Sequence, residues 1–107
     1  MKQDLQLKSR VKEILKIVQQ LSPGNSVELR IPPYAAIQCV PGSVHKRGTP
    51  PNVVEMSGQT LIELISNPSN WDELYSKGLI SASGTNANLK DLFSKVSKLS
   101  SNLRLEK

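Results

Sequence analysis

The segment His45-Lys46-Arg47-Gly48-Thr49 carries the densest chemistry in the chain. Three side chains able to bear positive charge stand beside a glycine whose bare backbone lets a ligand approach, a composition suited to receiving a phosphate or carboxylate head group. The same residues suit a solvated loop that braces its own shape, the commoner outcome for a short charged run. His45 finds no partner for work as a general base: no Gly-x-Ser-x-Gly elbow is present, and Cys39 lies in an apolar run where a thiol is usually buried and inert. Glu28, Glu55, Glu63, Asp72 and Glu73 show no spacing that pairs an acid with a base. Asp72 and Glu73 instead fall near the start of a short helical pattern, where negative charge complements the helix dipole. There is no phosphate loop or dinucleotide glycine pattern. With one cysteine and one histidine in the chain, an internal disulfide is excluded and a protein-only zinc site is a poor fit. No catalytic residue, metal or cofactor is expected, and the chain reads as a binder rather than an enzyme.

The remaining candidates are apolar. Leu89, Leu92, Phe93, Val96, Leu99 and Leu103 recur at three- and four-residue spacing and form one stripe of a terminal helix. Leu61, Leu64, Ile65, Trp71, Leu74 and Tyr75 form a second apolar set on two shorter helices. Each set reads either as plain core or as the wall of a cavity. An aliphatic wall binds by removing apolar ligand surface from water, and ~200 Å² of buried acyl chain at ~25 cal/mol per Å² offers about 5 kcal/mol before association costs.

The elements that must position these residues follow from period and punctuation. Leu7, Val11, Ile14, Leu15, Val18 and Leu21 predict a first amphipathic helix, ended by Ser22-Pro23-Gly24-Asn25. Val27 to Ile31 alternates strictly, as a half-buried strand does. Pro32-Pro33 forces either a bend within one long edge strand or a turn between two strands, the second running from Tyr34 to Val40. Residues 41–52 are loop by composition, with room for a short strand around Val44. Val53 to Met56 reads as a strand, Ser57 as the cap of the next helix, and Asn67-Pro68-Ser69-Asn70 as a break before the helix bearing Trp71. A strand over Leu79 to Gly84 precedes the last helix, where Asn88 and Asp91 resemble a capping arrangement.

At 107 residues the chain is expected to be one domain, 1–107, with room for one modest core. Its net charge of +5 is concentrated at the ends: residues 1–22 hold Lys2, Lys8, Arg10, Lys12 and Lys16 against Asp4 and Glu13, and residues 89–107 hold Lys90, Lys95, Lys98, Arg104 and Lys107 against Asp91 and Glu106. Such helices either simply solvate their outer faces or attract an anionic partner such as a membrane surface. An interaction module for nucleic acid or protein, using these helices and the His45–Thr49 loop without any lipid cavity, is the alternative reading. Only Tyr34, Trp71, Tyr75 and Phe93 are aromatic, however, a poor supply of stacking platforms for nucleic acid. No signal-peptide-like apolar run opens the chain, and no stretch approaches the ~20 apolar residues of a membrane span. The expected compartment is the cytoplasm.

Three segments resemble the sterol carrier protein family, in particular its small bacterial, actinobacterial-type members. They are Val27-Glu28-Leu29-Arg30-Ile31-Pro32-Pro33-Tyr34-Ala35-Ala36-Ile37-Gln38-Cys39, His45-Lys46-Arg47-Gly48-Thr49-Pro50-Pro51-Asn52-Val53-Val54-Glu55, and the run from Val53 to Leu92 with Lys77-Gly78-Leu79-Ile80-Ser81-Ala82-Ser83-Gly84 before the last helix. The resemblance implies an α+β fold: a twisted, mostly antiparallel sheet of about five strands with helices packed on one face. It also implies an apolar cavity between sheet and helices that takes a fatty acid, acyl-CoA or sterol-like lipid without cofactor or catalysis. In that reading Leu61, Leu64, Ile65, Trp71 and Tyr75 line one side of the cavity. Leu92, Phe93, Val96 and Leu99 line the other, and His45, Lys46 and Arg47 receive a head group.

Overall fold

The computed structural model describes residues 4–42 and 50–103, the last four as backbone alone. Asp4 caps α1 (Leu5–Leu21), its carboxylate accepting the N–H of Leu7 at 3.1 Å. Val11, Ile14, Leu15, Ile17 and Val18 form the buried face of this helix, the stripe set by the 3.6-residue period. The helix stops where Ser22 donates its N–H to the Val18 carbonyl and Pro23 follows.

The alternation of Val27-Glu28-Leu29-Arg30-Ile31 gives β1 (Val27–Ile31), with Val27, Leu29 and Ile31 buried. The two prolines make a turn between strands rather than a bend in one: Tyr34 donates to the Ile31 carbonyl at 2.8 Å, and β2 (Ala35–Cys39) runs back antiparallel with Ile31 opposite Ala35. The chain returns as β3 (Asn52–Met56), which lies on the other side of β1 and parallel to it, Val27 opposite Asn52. After α2 (Gly58–Ser66), a 3₁₀ turn over Pro68–Asn70 and the short α3 (Trp71–Ser76), β4 (Ile80–Ser83) pairs antiparallel with β3. The last helix, α4, covers Lys90–Leu103.

The α+β class therefore holds, but the sheet departs from expectation twice. It has four strands among the described residues, not five, in the order β2-β1-β3-β4. It is also mixed, because β1 and β3 are parallel. The reason lies at the start of β3. The Asn52 N–H bonds to the Ser26 carbonyl at 3.2 Å, and its buried side-chain amide donates to the same carbonyl at 2.8 Å. These bonds fix β3 beside β1 instead of beside β2. The short strand considered around Val44 lies outside the described residues.

One face of the sheet carries Leu29, Ile31, Val54, Met56 and Ile80, all buried in a single cluster with Val11 and Val18 of α1, Leu61 and Leu64 of α2, Trp71 and Leu74 of α3, and Phe93 and Val96 of α4. Glu28, Arg30, Glu55, Ser81 and Ser83 alternate onto the other face. There Arg30 meets Glu28 at 3.3 Å and Glu55 at 3.7 Å. No described helix is long and apolar enough to cross a membrane.

Candidate functional site

The β4 edge, α3 and the 84–88 loop enclose a groove of about 310 Å³, bordered by Trp71, Asp72, Tyr75, Ala82, Gly84, Thr85, Ala87 and Asn88. Its geometry follows from short elements. In α3, a helix of six residues, Trp71 and Leu74 turn inward and are buried, whereas Tyr75 stands 51% exposed at the outer rim. The Trp71 ring stacks on Phe93 of α4, centroids 6.3 Å apart and planes 27° from parallel. The groove floor is thus one residue removed from the apolar stripe of α4. Across the rim, Lys90 Nζ at the start of α4 reaches Asp72 Oδ2 at 3.3 Å, tying α4 to α3.

The 84–88 loop is held by one side chain. Asn52 Oδ1 accepts the Asn86 N–H at 3.0 Å, and Asn52 Nδ2 also meets Ser26 Oγ at 3.2 Å. Gly84, with φ of +112°, passes so close to Asn52 that no Cβ fits there. Asn88 Oδ1 then accepts the Lys90 N–H at 3.0 Å and opens α4. On the far side of the same loop a second hollow of about 450 Å³ is bordered by Ser22, Val40, Pro41, Asn86, Leu89 and Leu92. Thr85 and Asn88 border both.

The nine apolar residues singled out in the sequence divide by position. Leu61, Leu64, Ile65, Trp71, Phe93 and Val96 are buried and mutually packed in the core cluster. Leu92 and Leu99 are partly buried against it, and Tyr75 is exposed. Trp71 and Tyr75 border the first groove and Leu92 the second. His45, Lys46 and Arg47 lie outside the described residues. Sequence reasoning missed Asn52, read there as loop, and Ala82, Thr85 and Ala87 of the groove. A lone buried asparagine, and small residues in a short edge strand and the loop after it, leave no periodic signal.

Cys39 is buried, and loss of hydration pushes its thiol up to about 11, so it stays protonated near neutrality. Among the described residues, no three His, Cys, Asp or Glu side chains gather as a metal site.

No curated protein matches the chain. A family model described as bacterial SCP ortholog matches residues 3–94. The matched span runs from the start of α1 into α4 and takes in the whole groove and Phe93 beneath it. This chain belongs to the bacterial SCP ortholog family.

Proposed function

We propose that the protein is a non-catalytic carrier that holds an apolar ligand, a fatty acid, acyl-CoA or sterol-like lipid, between the sheet and its helices. Family membership supports a lipid-binding module in general. The observation that carries the specific reading is Trp71, which borders an open groove on one side and stacks on Phe93 on the other. An acyl chain entering beside Tyr75 meets Trp71 first and then the stripe of α4. At about 310 Å³ the groove sits at the lower end of ligand sites, which span roughly 300–1,000 Å³. Uptake of a long chain therefore requires α3 and α4 to part, with Leu61, Leu64, Ile65, Phe93, Val96 and Leu99 exchanging contacts with each other for contacts with the ligand. The exchange is nearly apolar-for-apolar, so its selectivity for chain length is low. His45, Lys46 and Arg47 are the proposed head-group contacts, and the exposed lysines of α1 and α4 the surface that meets an anionic membrane in the cytoplasm.

Trp71 is the single tryptophan, so the protein reports on its own site. Titration with oleate, palmitoyl-CoA or cholesterol is expected to change the intensity and emission maximum of Trp71 and to saturate at one equivalent. Unchanged emission at ligand excess would contradict the reading.

A further inference from the structure

The 84–88 loop stands between the groove and the second hollow as their common wall, since Thr85 and Asn88 border both. Gly84 borders the groove as well, and Asn86 the second hollow. Apolar side chains meet this wall from both sides, Trp71 and Tyr75 on one and Leu89 and Leu92 on the other.

Little holds the wall down. Within it only Ala87 is buried, and Gly84, Thr85, Asn86 and Asn88 are exposed. Among the described residues one hydrogen bond ties it to the sheet, from the Asn86 N–H to Asn52 Oδ1 at 3.0 Å. A second tie lies just past its end, where Lys90 Nζ meets Asp72 Oδ2 at 3.3 Å and fastens the start of α4 to α3. That pair is solvated, its side chains 39% and 75% exposed, and such pairs break at small cost. Segments with few buried contacts and few bonds are the first to open. The loop also has a pivot. Gly84 follows the last residue of β4 and holds φ at +112°. It can leave that conformation without a Cβ to obstruct it, and hinges commonly sit at such element ends. Because Asn88 Oδ1 accepts the Lys90 N–H, the end of the loop and the first turn of α4 form one piece.

We propose that the groove and the second hollow are two halves of one site for a long single-chain lipid, and that the 84–88 loop is its movable wall. The loop and the start of α4 swing out about Gly84, releasing the Asn86–Asn52 and Lys90–Asp72 ties, and the chain then runs from Trp71 to Leu92. The groove alone, at about 310 Å³, is at the small end of ligand sites, and the second hollow adds about 450 Å³. The joined space falls well within the roughly 300–1,000 Å³ that such sites span. The inference rests on the apolar-ligand reading and specifies which residues its ligand must displace.

Stopped-flow mixing of the full chain with oleate, read by the emission of Trp71, tests the movable wall. If the wall must lift before the chain enters, the observed rate levels off at high oleate, at the rate of lifting. Lys90→Gln releases the outer tie without altering the border of either hollow. It should raise the plateau about twofold, as loss of an exposed ion pair allows. Asn52→Ala releases the inner tie and should raise the plateau about fivefold, the worth of one hydrogen bond. Ile14→Ala is the control. It removes core packing on α1, borders neither hollow, and costs the fold at least as much stability as Asn52→Ala, yet should leave the plateau unchanged. Three results would each overturn the inference and leave the apolar-ligand reading standing: a rate that climbs without levelling off, a plateau that either tie variant leaves at the wild-type value, or one that Ile14→Ala raises equally. Wild-type protein whose emission oleate does not change would overturn both.

Discussion

Trp71 on α3 and Phe93 on α4 lie with ring centroids 6.3 Å apart and planes inclined by 27°, the single aromatic pair joining these two helices among the described residues. The pair has two roles, because Phe93 is fully buried while Trp71 also borders the groove. Phe93→Ala is expected to cost ~3–5 kcal/mol in urea unfolding, as core phenylalanine truncations do. Phe93→Leu should cost far less. A double-mutant cycle with Trp71→Leu should leave a coupling of about 0.5–1.5 kcal/mol for the ring pair. Zero coupling would mean that the rings merely adjoin.

Asn52 supplies a second prediction. Its amide joins the approach to β1 with the loop after β4 through bonds to Ser26 and Asn86. Asn52→Ala leaves the Asn86 N–H without its partner and the Ser26 carbonyl with only the backbone N–H of residue 52, and is expected to destabilise the fold by about 1–3 kcal/mol. The Asn86 amide should then exchange its hydrogen faster than amides of the central strands. Gly84→Ala should produce the same signature, since a Cβ at Gly84 collides with Asn52 and φ is +112°.

The Cys39 thiol gives a pH dependence. Burial raises it from 9.0 to about 11 in the folded protein. A raised acid binds its proton more tightly when folded, so the stability it contributes is complete below pH 9. Between pH 9 and 11 the unfolded chain ionises first, and stability falls by up to ~1.4 kcal/mol per pH unit. Cys39→Ala should flatten that part of the stability curve. A thiol reagent should react with the native protein only as fast as it unfolds.

Leu92 tests the α4 side of the proposed ligand site. It is half-buried in the first turn of α4 and borders the second hollow. A carboxylate there complements the helix dipole, so Leu92→Asp should remain folded by circular dichroism. Its uptake of oleate should nevertheless fall at least tenfold, the equivalent of ~1.4 kcal/mol of lost apolar contact. A folded variant with undiminished uptake would remove Leu92 from the site.

Much of this architecture was legible in the chain because periodic burial writes itself into sequence. The stripe of α1, the alternation of β1, the Ser57 cap, whose hydroxyl accepts the Thr60 N–H at 3.1 Å, and the Asn88 start of α4 all matched expectation. The parallel pairing of β1 with β3 was not legible. It depends on the contact between Asn52 and Ser26, 26 residues apart, and local propensity carries no record of it. For the same reason a reading strand by strand yields an antiparallel sheet. Tyr75 shows a finer limit. Helical spacing groups it with Trp71 and Leu74, but α3 ends at Ser76, so its outer turn has no neighbouring element to cover that ring.

The central claim, that this protein carries an apolar ligand, is tested most directly by mass spectrometry of the full chain, native and then denatured. Protein as purified, or after incubation with oleate, palmitoyl-CoA and cholesterol, is expected to show a one-to-one adduct that survives native ionisation and disappears on unfolding. A clean mass of the bare chain under every one of these conditions would contradict the account and leave the stripe of α4 as core alone.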